Sequence, residues 1–111
     1  MAEETYSVIV GKHAKSRLRE IVQYLIDNVS EQTADYVEAG IFDLIEGLSS
    51  MPERYMIYHE NAEKNLVYRR ALKWKYIIFF NINEADKTIE VVHIAHSSQD
   101  PKRIKNTLSE L

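Results

Sequence analysis

Two stretches of the chain carry apolar residues at the three- and four-residue spacing of a helix that buries one face. The first predicts a helix over residues Lys12–Asn28, and the second a helix that begins after Ser30, a favourable N-cap, and ends before Pro52. The connection DNVSEQ is short, so we expect an antiparallel hairpin of two helices. Neither helix can bury its stripe alone, and a sheet must therefore lie beneath them. The two stripes are Ala14, Leu18, Ile21, Val22, Leu25 and Val29, and Ala34, Val37, Ile41, Leu44, Ile45 and Leu48.

Four stretches rich in β-branched and aromatic residues predict the strands of that sheet. They are Thr5–Val10, Leu66–Leu72, Lys75–Ile82 and Thr88–His96. The links between the last three are short, and the break NEADK at residues 83–87 makes the final two a hairpin. We therefore expect a three-stranded antiparallel meander, with the N-terminal strand joining the edge of the same sheet.

The remaining stretches complete an α+β fold in one domain of residues 1–111. Residues Glu53–Asn65 show no clear period and predict a loop that carries exposed aromatic side chains. Alternatively, this loop folds back over the sheet edge, because single domains usually bury such apolar runs themselves. Asp100 and Pro101 are typical of the cap and first residue of a short C-terminal helix, whose apolar side holds Ile104 and Leu108. We expect both long helices on one face of the sheet and a partly open opposite face.

The composition narrows the class of protein. The chain has no cysteine, which excludes a disulfide scaffold, and no apolar run long enough to span a membrane. We therefore expect a cytoplasmic protein with no membrane partner. The net charge of −3 does not indicate nucleic-acid binding, yet residues 1–66 hold 6 Lys or Arg against 12 Asp or Glu, whereas residues 67–111 hold 8 against 5.

Much of the basic excess lies in the segment YRRALKWK, residues 68–75. Basic residues interleaved with aromatic ones can bind phosphates and stack on bases. Alternatively, the charges are solvated on a hairpin and the aromatic rings pack in the core. The sequence leaves both interpretations open.

Two histidines near the end of the last predicted strand are candidates for chemistry. His93 and His96 are three residues apart, and strand side chains alternate, so the two should point to opposite faces and should not share a metal ion. His96 could act as an acid-base group, or it could hydrogen-bond at the end of the sheet. Gly40 and Gly47, seven residues apart on one helix face, would permit the close approach of another element.

The segment KYIIFFNINEADKTIEVVHIAHSSQDPKRI, residues 75–104, resembles the RelE/ParE superfamily of toxins from bacterial type II toxin–antitoxin systems. The order of the predicted elements extends the resemblance over nearly the whole chain. It implies the toxin fold of that superfamily and one of two activities. The RelE branch cuts messenger RNA in the ribosome, and the ParE branch poisons DNA gyrase. The residues that fit the superfamily pattern are Tyr76, Phe79, Phe80, Glu84, Thr88, Glu90, Val91, His96, Asp100 and Pro101.

Several cations of the superfamily pattern are missing from this chain. Arginines would be expected at positions 77, 81, 98 and 99, where the chain has Ile77, Asn81, Ser98 and Gln99. Because the loss of phosphate-binding cations weakens an RNase, the resemblance favours a ParE-like toxin. Such a toxin arrests growth by binding a cellular target, here expected to be DNA gyrase, and serves plasmid stabilisation. The alternatives are a RelE-like ribosome-dependent mRNA endonuclease and an inactive interaction domain.

The resemblance also implies residues and partners. In an endonuclease His96 would transfer protons, and cations would stabilise the charge on the phosphate. In either branch we expect a cognate antitoxin, no cofactor and no metal, in a homodimer or a toxin–antitoxin hetero-oligomer. The expected catalytic set is Arg69, Arg70, Lys75 and His96. The residues expected to contact the target or the antitoxin are Tyr55, Tyr58, Trp74, Lys102 and Arg103.

Overall fold

The computed structural model of the protein describes residues 5–111, in which five strands form one mixed sheet. The strands are β1 (Ser7–Val10), β2 (Ile57–Asn61), β3 (Leu66–Lys73), β4 (Tyr76–Asn83) and β5 (Thr88–His96). Their order across the sheet is β1-β5-β4-β3-β2. β1 runs parallel to β5, and all other neighbours are antiparallel. The predicted N-terminal edge strand and the hairpin of the last two strands are confirmed.

Three helices pack around the sheet, and two of them begin at the predicted caps. They are α1 (Lys12–Asn28), α2 (Glu31–Gly47) and α3 (Pro101–Glu110). The Ser30 hydroxyl accepts a hydrogen bond from the Thr33 N–H, and the Asp100 carboxylate accepts one from the Lys102 N–H, each at 3.0 Å. Each cap satisfies an N–H that has no partner within its helix. None of the helices in residues 5–111 is long and apolar enough to cross a membrane.

Strand β4 is buried on both faces, and its alternation divides the interior into two cores. Ile78 and Phe80 pack with the apolar stripes of α1 and α2. Ile77 and Phe79 point the other way and pack with α3. The two long helices therefore lie on one face of the sheet, as predicted.

The short helix α3 lies across the opposite sheet face. Its predicted apolar side chains, Ile104 and Leu108, are almost fully buried there. Burial of an Ile or Leu side chain contributes about 1.5–3 kcal/mol, so these two residues supply most of the apolar attachment. The face that we expected to be partly open is therefore covered by α3 along part of its length.

The prediction of a loop over Glu53–Asn65 is wrong. Pro52–Arg54 forms a single 3₁₀ turn, and β2 pairs antiparallel with β3. Four consecutive antiparallel strands thus replace the expected meander of three. β2 is an edge strand with a register shift between Ile57 and His59, so its side chains show no clean alternation, and its existence depends on pairing with β3.

The turn between β3 and β4 places Trp74 against α2 at Gly40. A Cβ atom at Gly40 would lie 2.2 Å from Cη2 of the indole, so glycine is required for this contact. The predicted close approach is confirmed at Gly40 and wrong at Gly47, where an added Cβ would meet no atom of another element within 4 Å. Trp74 also has a left-handed backbone, with φ of 52°, which costs a residue with a Cβ roughly 1–2 kcal/mol.

We expect Gly40→Ala to displace the indole from α2. The added methyl group would overlap the ring, and the lost contact should offset the roughly 1 kcal/mol that Ala contributes over Gly inside a helix. Because the chain has one tryptophan, its fluorescence emission should shift to longer wavelength. Gly47→Ala is the matched control and should leave the emission unchanged. An unshifted Gly40→Ala spectrum would contradict the contact.

Candidate functional site

The sheet face opposite the helical hairpin is where the resemblance would place a phosphate-binding cluster. Strand β4 contains no Lys or Arg. Its residues Ile77 and Phe79 are buried beneath α3, and Asn81 lies beyond them in a pocket of about 240 Å³ beside Tyr68 and Glu90. The β4 side chains on this part of the face are therefore uncharged, and the pocket beside Asn81 holds Glu90 together with Lys12 and His13 from the start of α1.

The two arginines of the predicted catalytic set point to opposite faces of the sheet. Arg69 pairs with Phe80 and Arg70 pairs with Phe79. Side chains directly opposite one another in an antiparallel ladder share a face, and the two phenylalanines belong to different cores. The arginines therefore cannot act together on one phosphate.

Each arginine also has a structural partner. Arg69 Nη1 donates to the backbone carbonyl oxygens of Glu53 and Tyr55 at 3.1 and 2.7 Å, which holds the segment before β2. The Arg70 guanidinium lies over the ring of Tyr58, 5.9 Å from its centroid. Both guanidinium groups thus stabilise the β2 edge of the sheet.

Lys75 and His96 come together at one end of the sheet. The Ser97 N–H donates to the Lys75 carbonyl oxygen at 2.7 Å, and the His96 ring lies edge-on to Tyr76 with centroids 5.5 Å apart. Arg69 pairs with Phe80. Phe80 lies four residues beyond Tyr76 on β4, which is about 13 Å along the strand. The structure places the backbones of two of the four predicted catalytic residues, Lys75 and His96, at the same end of the sheet and leaves the arginines further along it.

The hydrogen bonds of His96 assign the tautomer of its neutral ring. Nδ1 accepts a hydrogen bond from the Ser98 N–H at 3.1 Å, and the Ser98 hydroxyl lies 2.7 Å from the same nitrogen. A neutral ring with this acceptor carries its proton on Nε2. Nε2 is then a hydrogen-bond donor, so His96 as placed can recognise an acceptor but cannot remove a proton through that atom.

An open groove of about 630 Å³ lies between α1 and the ends of β4 and β5. At its rim Arg17 donates from Nε to the Ile94 carbonyl oxygen at 3.3 Å and from Nη1 to Glu20 at 2.6 Å. An apolar floor with engaged polar groups at the rim suits the binding of a side chain or peptide better than displacement at a phosphate. The groove is lined by Arg17, Glu20, Ile21, Tyr24, Leu25, Tyr76, His96 and Ser98.

The sequence singles out only His96 as a functional candidate among these residues. Arg17 and Glu20 lie on the polar side of the α1 stripe, which periodicity assigns to solvent. Ser98 occupies a position where the superfamily pattern has arginine. No local signal marks them, because the groove exists only where α1 crosses the end of β5.

A family model described as "ParE toxin of type II toxin-antitoxin system, parDE" matches residues 8–101. The chain belongs to this family. It is thus a type II toxin–antitoxin toxin of the RelE/ParE superfamily, as the resemblance implied. Nearly all of α3 lies beyond the matched residues of this ParE-family toxin. No curated protein matches its sequence.

Two solved structures share the fold of this ParE-family toxin. The chromosomal ParDE toxin–antitoxin system of P. aeruginosa superimposes with a TM-score of 0.65 and 13% identity, over 84% of this chain and 97% of that chain. The toxin–antitoxin complex RelBE2 of Mycobacterium tuberculosis superimposes with a TM-score of 0.62 and 14% identity, over 86% and 94%. The likeness confirms the predicted α+β fold.

Both tyrosines predicted to contact a target or antitoxin are half-buried in the toxin. Tyr55 packs edge-on to Phe80 with centroids 5.8 Å apart, and Tyr58 packs on Phe79 at 4.9 Å. For these two rings the expectation of exposure is wrong, and the alternative that the segment folds back over the sheet edge is confirmed, because the rings fold onto the two faces of β4. Met56, between them, is 65% exposed.

The other predicted contact residues are at the surface. Trp74 is 49% exposed at the β3–β4 turn, and Lys102 and Arg103 are exposed in the first turn of α3. Tyr68, from the same basic segment as Trp74, is buried in the core. Of the two interpretations of the basic aromatic segment, packing in the core therefore holds for Tyr68, and exposure at the surface holds for Trp74. The contact roles themselves stay predictions.

Two histidines from distant parts of the toxin meet beside the start of α1. His13 Nε2 lies 2.8 Å from His93 Nδ1. Burial, and then the nearby charges of His13 and Arg17, lower the pKa of His93 from 6.5 to about 4. His93 stacks on Phe79 and His96 meets Tyr76, so the predicted opposite orientation of His93 and His96 is confirmed. Within residues 5–111, no group of three or more His, Cys, Asp or Glu side chains could hold a metal ion.

We expect the free energy of unfolding to fall as the pH decreases from about 6.5 to about 4. In this window an unfolded chain protonates His93, whereas the folded toxin keeps that ring neutral, so protons favour the unfolded state. Above this window the ring is neutral in both states and contributes no pH dependence. The parent's melting temperature should therefore fall by several degrees across this window because of His93. His93→Leu should not show this contribution when melting is followed by circular dichroism.

The control for this experiment is a half-buried histidine outside the core. His59 contacts the hydroxyl of Ser109 at the surface, so His59→Gln should keep the pH dependence of the parent. If His93→Leu loses stability in parallel with the parent as the pH falls, titration of His93 is not the cause.

Proposed function

We propose that this toxin arrests bacterial growth by binding a protein target, and that the target is DNA gyrase. The observation that carries the proposal is the packing of β4. Ile77 and Phe79 lie beneath α3 on the face where a ribonuclease of the superfamily would need cations. Membership of the ParE family supports the same branch.

The energetics of phosphate cleavage support this choice. A nuclease must stabilise the charge that develops on the phosphate, and one well-placed donor is worth about 3–4 kcal/mol in the transition state. Arg69 and Arg70 lie on opposite faces and Lys75 lies at the end of the sheet, so these cations do not converge. The net charge of −3 also opposes docking on a ribosomal RNA surface.

We further propose a cognate antitoxin as a partner, in a toxin–antitoxin hetero-oligomer that serves plasmid stabilisation. The two solved structures of similar fold are described as a toxin–antitoxin system and a toxin–antitoxin complex, which supports such a partner. The proposed contact residues, for the antitoxin or the target, are Tyr55, Tyr58, Trp74, Lys102 and Arg103.

Expression of the chain in bacteria from a tightly controlled promoter should stop growth, induce DNA damage and leave messenger RNA intact. The purified toxin should inhibit DNA supercoiling by gyrase, because the proposed target is the enzyme itself. The same preparation should leave a translating ribosome extract unaffected. Growth should resume when the cognate antitoxin is co-expressed.

Substitutions in the predicted catalytic set distinguish the proposal from its alternatives. Arg70→Ala should arrest growth as strongly as the parent, and messenger RNA should stay intact with the parent, Arg70→Ala and His96→Ala alike, since neither residue is proposed to act on a phosphate. Ribosome-phased cuts that disappear in His96→Ala would instead identify a RelE-like endonuclease. A folded, expressed chain that causes no arrest would identify an inactive interaction domain.

A further inference from the structure

The β3–β4 turn holds a tryptophan in a backbone conformation that disfavours it. Trp74 has φ of 52°, in the left-handed region that glycine and asparagine tolerate best. Strain of this kind persists where the surrounding structure enforces it, and it occurs often at binding sites. Here the strain accompanies an indole that is half exposed on the surface.

The indole is held in one position by neighbours on α2 and the turn. It lies on Gly40, where a Cβ would approach Cη2 to 2.2 Å. It packs on Tyr36 with the rings tilted by 30° and their centroids 5.1 Å apart, and the Lys73 ammonium lies over the indole at 5.0 Å. Tyr36 is 67% exposed. The result is a preorganised aromatic patch, which we call the Trp74 patch and define as Tyr36 and Trp74.

The charges around the Trp74 patch are divided by sign. The turn contributes Lys73 and Lys75. Helix α2 contributes five acidic residues and no basic residue, and Asp43 lies on the same helix face as Tyr36, two turns further on. The structure describes no ion pair for Lys75 or Asp43, and both side chains are exposed. Cations on one element thus border anions on another, with aromatic rings at their junction.

We propose that the Trp74 patch is the interface of a homodimer with twofold symmetry. A twofold interface must be self-complementary, because the same surface faces itself. Rotation about an axis through the patch brings the cationic turn of one copy towards the acidic α2 of the other. Lys75 then faces Asp43 of the partner subunit, and the two aromatic pairs pack between them.

Other occupants match the surface less well. A nucleic acid would be attracted by the turn but repelled by the acidic α2. An acidic protein would meet the same repulsion, and a basic protein would be repelled by the turn. A second copy supplies both signs at once. The dimer does not depend on which cellular target the toxin binds, but because it covers Trp74, binding of the antitoxin or the target through that proposed contact residue would compete with self-association.

Sedimentation equilibrium of the purified chain tests the proposal directly. The mass should rise with concentration from 13.0 kDa towards twice that value, and added salt should weaken the association. Tryptophan emission should shift to shorter wavelength as the dimer forms, because the chain's one tryptophan lies in the interface. A chain that stays monomeric at all concentrations would overturn the proposal.

Trp74→Gly removes the anchor without straining the turn. Glycine adopts φ of 52° freely, so the variant should fold normally by circular dichroism. Its dimer dissociation constant should rise about thirtyfold, the effect of losing an aromatic anchor at the centre of an interface. A folded Trp74→Gly variant that dimerises as tightly as the parent would place any dimer interface elsewhere.

A charge exchange tests the twofold arrangement. Lys73→Glu/Lys75→Glu and, separately, Asp43→Lys should each abolish self-association, because like charges would then face each other. The two variants mixed together should form a heterodimer, since each restores the complement of the other. Lys12→Glu/Lys15→Glu makes the same change on the exposed side of α1 and should leave the dimer intact. A mixture that remains monomeric would exclude this interface.

Discussion

Burial of β4 on both faces is the constraint on which the rest of the structure depends. Its residues Ile77, Ile78, Phe79 and Phe80 are each at most 7% exposed. A strand that is apolar on both sides requires a layer on each side. The α1–α2 hairpin supplies one layer. The other is supplied by α3, a helix with two deeply buried apolar side chains.

The same packing limits the chemistry that the fold can carry. The β4 positions that would present cations to a phosphate are used for apolar contacts beneath α3. A buried arginine without a partner costs several kcal/mol. The positions of Ile77 and Phe79 can therefore form this core or carry phosphate-binding cations, but they cannot do both. Arg69 and Arg70 are instead engaged with the segment around β2. At its surface this ParE-family toxin instead presents the groove beside His96 and the exposed indole of Trp74, which suit the binding of a protein.

The β3–β4 turn is the place where local preference and tertiary structure conflict most clearly. Trp74 takes a left-handed backbone, and Gly40 gives up about 1 kcal/mol of helix propensity to admit the indole. The backbone strain at Trp74 and the lost helix propensity at Gly40 both serve the contact between the indole and α2. A natural sequence is usually consistent at every level, and exceptions of this kind concentrate where a surface has a function.

The sequence by itself determined the elements whose signals are local. The bounds of α1 and β5, the caps Ser30 and Asp100, and the buried pair Ile104 and Leu108 follow from periodicity and capping, which depend on a few neighbouring residues. The family followed from an ordered motif in the last strands.

Tertiary structure alone decided everything that depends on pairing between distant segments. β2 exists because β3 pairs with it, since an edge strand with a register shift has no clean alternation of its own. The register of β3 on β4 placed Arg69 and Arg70 on opposite faces. The contact of His13 with His93 spans most of the chain. A one-residue change in register would reverse every side chain of a strand, and no local pattern in the sequence specifies that register.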